Sequence, residues 1–132
     1  MKFSTRLTYG LRAMTILARL PNGQSMSLTL IAETENISRG YLEKIFSFLK
    51  NAKLVKAEKG MAGGYKLAKP VKKINVFEIM EALEGRRELF QFFVGKGKVY
   101  CGAKCNCGVS APLIKIQNTI NDSFKKIKLS DL

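Results

Sequence analysis

Three capped amphipathic segments, a pair of alternating segments around a glycine cluster, and an isolated apolar stripe near the C-terminus predict a mainly α chain with a small β-hairpin. In that order the elements make a winged helix-turn-helix followed by a long C-terminal dimerisation helix. Residues 1–73 hold the helix-turn-helix and wing. Residues 74–132 hold a cysteine loop and the last helix, expected to pack with the first region as one domain.

Each element has its own signal. Ser4 is placed to cap a first helix whose Leu7, Leu11, Met14 and Ala18 share one face, and Pro21-Asn22-Gly23 stops it. Ser27 caps a short second helix with Leu28, Ile31 and Ala32 inward, ended by the polar pair Glu35-Asn36. Ser38 caps a third helix running to about Ala52, with Leu42, Ile45 and Leu49 inward. Leu54 to Glu58 alternates as a strand, Gly60 to Gly64 turns, and Tyr65 to Ala68 alternates back. Asn75 and Glu78 form a capping box for a fourth helix that buries Val76, Ile79, Met80 and Leu83 and stops at Gly85. The apolar run Leu89 to Val94 precedes a loop rich in Gly and Lys. Ser110 as N-cap and Pro112 then open a last helix with the stripe Leu113, Ile116, Ile120, Phe124 and Ile127.

The charge narrows the function. Lys and Arg number 23 against 10 acids, a net +13, of which +10 lies in residues 1–73. So lopsided a field attracts a polyanion. No apolar run is long enough to cross a bilayer, no long basic amphipathic helix suits a membrane surface, and the N-terminus lacks a secretory leader, so a cytoplasmic nucleic-acid binder is expected. The chain has no histidine and no phosphate-binding loop, which counts against an enzyme.

The third helix carries the reading surface. Its N-terminal outward positions hold Arg39, Gly40, Tyr41 and Lys44, suited to base edges in the major groove of double-stranded operator DNA. Gly40 permits close approach, and Ser38 with the helix N-terminus can hold a phosphate. Lys56, Lys59 and Lys66 surround the glycine-rich tip of the wing, which fits the backbone or minor groove; the glycines also suit a simple hairpin turn.

Cys101, Cys105 and Cys107 fall within seven residues. In a cytoplasmic chain such a cluster points to metal or redox chemistry rather than a disulfide framework. Thiolates here would serve an iron–sulfur cluster, zinc, or reversible disulfide sensing; inert cysteines are the plain alternative. Three ligands leave a closed site one short. Lys98 and Lys104 would lower the thiol pKa values.

Ile31-Ala32, Ile37-Ser38, Tyr41-Leu42-Glu43, Phe46, Leu49, Leu54-Val55 and Gly60-x-x-Gly-Gly-Tyr65-x-Leu67 together resemble the signature of the Rrf-type winged helix-turn-helix transcriptional regulators, a bacterial family. Tyr9, Ala13, Met14 and Val76-x-Glu78-Ile79 fit as well, so the resemblance covers nearly the whole chain. It implies a homodimer on an operator of dyad symmetry, with the last helix at the dimer interface and DNA contacts from Ser38, Tyr41, Lys44, Lys59 and Gly60. It also implies a repressor whose cysteine loop senses iron–sulfur status, redox state or nitric oxide. The chain departs from the cluster-binding pattern: Cys101 and Cys107 match its second and third cysteines, the first falls near Gly95, Cys105 is additional, and Ser110 stands where some relatives have histidine. Lys59 stands where relatives often have Arg, keeping the charge without the planar fork. Glu84 and Glu88 are candidate carboxylate ligands. Regulation without a cluster, by a metabolite or a partner protein, and charge-driven binding without sequence preference are the rival readings.

Overall fold

The computed structural model describes residues 3–61, 63–85, 93–94, 98–99, 108 and 110–132, without side chains at 93, 94, 98, 99 and 110. The caps act as their residue types predict. Ser4, Ser27 and Ser38 accept N–H groups at the starts of α1 (Thr5–Arg19), α2 (Leu28–Glu35) and α3 (Arg39–Asn51). Asn36 closes α2 in the left-handed region at φ 53°. The capping box of Asn75 and Glu78 opens α4 (Val76–Glu84), which Gly85 ends.

β1 (Val55–Glu58) and β2 (Gly64–Leu67) pair antiparallel, with Val55 opposite Leu67 and Lys56 opposite Lys66. Met26 adds a rung on the other edge of β2, exchanging both backbone hydrogen bonds with Tyr65 at 3.0 and 2.8 Å. A side chain on Gly64 would run into the Met26 carbonyl, so glycine is what lets that rung close. The sequence around Met26 is too short to announce a strand.

The core lies where α1, α3 and α4 meet the inner face of the hairpin. Met14, Ile31, Leu42, Ile45, Phe46 and Ile79 are fully buried there. Each such side chain contributes about 1.5–3 kcal/mol relative to exposure. On α1 the buried face is Leu7, Gly10, Ala13, Met14 and Leu17; Leu11 and Ala18, expected at its centre, are half-buried on its flank. Small residues set this rotation. Gly10 lies against Leu83 of α4 so closely that a methyl group would collide, and helices approach best where side chains are smallest. On α4, Met80 is likewise half-buried.

Two short strands, β3 (Phe93–Val94) and β4 (Lys98–Val99), pair antiparallel, and β4 falls where the sequence reads as loop. α5 spans Ser110–Lys126, so Ser110 is its first residue rather than its cap, and Ile127 lies beyond its end. After α5 the chain turns back. Val76 N–H donates to the Ile127 carbonyl at 2.9 Å and Leu129 N–H to the Ile74 carbonyl at 2.8 Å. Leu129 is 1% exposed and completes the core beside Ile74. Extending the apolar stripe through Ile127 misses this return, because helical spacing and a docked tail both place an apolar residue there.

Among the described residues, no helix is long and apolar enough to cross a membrane.

Candidate nucleic-acid interface

α3 divides into two faces. Leu42, Ile45, Phe46 and Leu49 are buried, while Ser38, Arg39, Gly40, Glu43, Lys44 and Ser47 are exposed. The Ser38 hydroxyl accepts the Tyr41 N–H at 3.3 Å, leaving its own proton available as a donor. The first N–H groups of the helix point along its axis with no intrahelical acceptor. Gly40 is the informative residue. A Cβ built there meets nothing within 4 Å, and its backbone is helical. Neither packing nor conformation requires glycine at a position where it costs about 1 kcal/mol relative to alanine. The space it leaves is outside the molecule.

Arg39 and Glu43 pair at 3.4 Å across one turn, both well exposed. The guanidinium therefore has a local carboxylate as well as any external partner, and such a pair is worth little in water. Tyr41 is half-buried, with its ring edge-on to Tyr9 of α1 at 5.9 Å between centroids. The body of the ring is packed and the residue still reaches the surface. Lys44 borders a concavity of about 350 Å³ with Tyr41, Phe48, Arg6, Ser4 and Glu84.

The wing is fixed to this helix. Phe46 of α3 and Tyr65 of β2 contact with centroids 4.6 Å apart. Lys59 and Gly60 stand exposed at the turn, Gly60 at φ +116°, where a side chain is strained. The Gly63 N–H donates to the Gly60 carbonyl at 2.9 Å, and a Cβ on Gly63 would strike the Glu58 and Gly60 carbonyls. The tip glycines are thus needed to build the hairpin, whatever else they do. Lys56 sits further back, on the strand. Lys66 bonds Glu58. That contact, more than any other, holds the Glu58 carboxyl below its ordinary range.

The structure brings Ser38, Arg39, Gly40, Tyr41 and Lys44 together on the first turns of α3 and puts Lys59 and Gly60 on a hairpin locked to that helix. It sets Lys56 apart. Cys101, Cys105, Cys107, Lys104 and Glu88 lie outside the described residues. Among the described residues, no group of three or more acids or cysteines could hold a metal ion.

Sequence reasoning missed Arg6, and it read Glu84 only as a candidate carboxylate ligand. The Glu84 side chain is 7% exposed; it accepts from the Ser4 hydroxyl and lies 3.5 Å from Arg6 Nε. At that distance the pair attracts without a hydrogen bond, and Arg6 Nε is buried with no hydrogen-bond partner. The Arg6 guanidinium also lies 5.2 Å from the centroid of the Phe48 ring on α3. One arginine thus touches both the recognition-type helix and the last residue of α4. In sequence, Arg6 is simply a polar residue beside a buried stripe.

The chain matches the Rrf2 family, described as iron-dependent transcriptional regulators, over residues 3–132. It is 33% identical to a protein of Neisseria meningitidis serogroup A classed as an HTH-type transcriptional regulator, over all of this chain and 87% of that one. The structure resembles that of CymR, the global cysteine regulator of B. subtilis, with a TM-score of 0.83 and 30% identity over 99% of this chain and 95% of that one. It also resembles T. potens IscR, with a TM-score of 0.78 and 31% identity over 99% of this chain and 85% of that one.

Proposed function

This chain belongs to the Rrf2 family of transcriptional regulators, and from that premise we propose that it is a cytoplasmic homodimeric repressor whose cysteine loop governs its grip on a palindromic operator. The observation that carries the DNA-binding part is Gly40, a helical glycine with open space around it, among Ser38, Arg39, Tyr41 and Lys44 on the exposed start of α3. A glycine the fold does not need suits a surface that another molecule must approach closely. Lys44 and Arg39 read bases, Ser38 and the helix N-terminus hold a phosphate, and Lys59 and Gly60 meet the neighbouring groove. Selection of duplexes from a random pool tests this. A recovered palindrome, bound far more tightly than random DNA at matched salt, is expected; binding that follows salt alone would replace the reading with charge-driven association.

The dimer reading rests on α5. Ile116 is 46% exposed, and Leu113, Ile120 and Phe124 are only partly covered by their own chain. A second copy offers the same stripe and sets two recognition helices against two half-sites.

The signal belongs to Cys101, Cys105 and Cys107. The family's description as iron-dependent supports an iron–sulfur cluster, and likeness to a global cysteine regulator supports a thiol-based or metabolite-linked input instead. A bound cluster would supply a redox-labile group held by these thiolates. This chain's own contribution is the path inward. Glu84 ends α4 just before the cysteine-bearing segment, and Arg6 joins it to Phe48 of α3. Movement at the end of α4 would then be felt by the reading helix. Anaerobic purification with iron, sulfide and zinc assays separates the inputs. Stoichiometric iron and sulfide lost on Cys101→Ala favour the cluster, and a colourless metal-free protein favours the thiols.

A further inference from the structure

The hairpin has a second basic surface, on the side facing away from α3. Tyr65 turns its ring to Phe46 of that helix, so Lys66, the next residue on the strand, projects from the opposite face of the sheet. Lys56 is its direct cross-strand partner and shares that face. Like charges directly opposite one another destabilise a hairpin; the Glu58 carboxylate bonds Lys66 and attracts Lys56 only through space.

Behind this lysine pair lies a pocket of about 570 Å³, within the range of small-molecule sites. Its inner wall is apolar, built from Leu17, Leu20, Leu67 and Val71. Its polar wall carries Lys56, Lys66, Lys69 and Lys72, and no acidic side chain lines it. Lys69 is shared with Glu78, which lies outside the pocket, at 3.0 Å. Among the described residues, Lys56 and Lys72 have no ion pair. Two proline turns stiffen the rim: Gln24 N–H donates to the Pro21 carbonyl at 3.0 Å, and Lys73 N–H to the Pro70 carbonyl at 2.8 Å. These turns hold the rim of a concavity that is open to solvent.

An apolar wall facing a cluster of ammonium groups suits one class of ligand. We propose that this pocket binds a small amphipathic anion, a compact apolar body bearing one or two phosphate, sulfonate or carboxylate groups. The body lies against Leu20 and Val71 while the anionic group bridges Lys56 and Lys72 and offsets the repulsion between Lys56 and Lys66. DNA backbone offers the same anionic chemistry without the apolar body, so the apolar wall favours the free ligand. The site gives Lys56 a role distinct from that of the wing tip.

Fluorescence titration with 8-anilinonaphthalene-1-sulfonate, an aromatic sulfonate, at ~0.15 M salt tests the site on the full chain. One saturable site per chain is expected, weakened about tenfold in Lys56→Ala/Lys72→Ala and unchanged in the charge-matched control Lys50→Ala/Lys115→Ala. All four lysines are exposed, and circular dichroism confirms that the variants fold. Amide shifts at Ala18, Gly23 and Lys69 on adding the probe supply a second readout. Dye bound equally well by both double variants, as at the α5 stripe, overturns the proposal. So does release of the dye in proportion to added duplex, which would make the pocket a DNA-backbone site. The first result does not depend on whether the DNA reading of α3 is right, since that arm contains no DNA.

Discussion

α3 and α5 carry nearly the same pattern and meet different fates. Both are amphipathic with apolar residues at helical spacing. On α3 the stripe of Leu42, Ile45, Phe46 and Leu49 is sealed by α1, α4 and the hairpin. On α5 the described stripe is partly open, and its most buried residue is the polar Gln117, at 8% exposure, whose amide donates to Asn121 at 2.9 Å. The helix is tied to the rest by Phe124 edge-on to Phe3 at 6.0 Å and by Lys125 over Phe77 at 5.0 Å. Periodicity states that a face will be covered. It does not state whether the cover comes from the same chain.

Substitutions sharpen that contrast. The largest effect is expected for Phe46→Ala, which empties a fully buried site and releases Tyr65 of the wing; it should cost about 3–5 kcal/mol in urea unfolding. A loss below 1 kcal/mol would mean that the wing is not held by that ring pair. Ile120→Asp on α5 should act differently. Folding of the α1–α4 core is kept, light scattering reports a monomer, and affinity for a selected duplex falls about a hundredfold through lost bivalency. If the variant stays dimeric, α5 is covered by its own chain and the proposed interface is elsewhere.

Smaller effects test the links between the two regions. Arg6→Ala removes the cation 3.5 Å from the buried Glu84 side chain and uncovers one side of Phe48. It should lower stability by about 2 kcal/mol and also blunt the response of DNA binding to cysteine oxidation or metal loss. Stability lost with the response intact would remove Arg6 from the path. Lys44→Ala should weaken the selected duplex about tenfold while hardly changing random DNA; equal losses on both would make Lys44 a phosphate contact.

The smallest expected effect lies at the start of α4. Burial raises the Glu78 carboxyl, but the Asn75 N–H and Lys69 outweigh it and hold it below its ordinary value of 4.5. A group lowered on folding adds stability above its unfolded value and loses it as pH falls through the folded one. Wild-type unfolding midpoints should therefore drop as pH falls below about 4.5, and Glu78→Gln should narrow the difference between neutral and acidic pH. Asn75→Ala, which removes the other half of the capping box, should cost about 1 kcal/mol at neutral pH.

Local chemistry alone determined much of this molecule. Serine and asparagine caps, the capping box, the glycine turn and the alternation of the wing each act within a few residues, so Ser4, Ser27, Ser38 and Asn75 could be assigned from sequence and are found at those tasks. The exposed start of α3 was legible for the same reason: its inward face was clear, and the remainder pointed out. What required the tertiary structure was everything set by approach between distant segments. The centre of the α1 face moved to Gly10 and Ala13 because α4 comes close there. Met26 became a strand rung only because Tyr65 lay beside it, and Leu129 entered the core because the tail returns to Ile74. Arg6 and the lysines behind the wing gained their roles in the same way. Hydrogen-bonded caps and turns are local and leave a mark in sequence, whereas burial and charge clustering depend on which distant residues arrive, and no single segment encodes that.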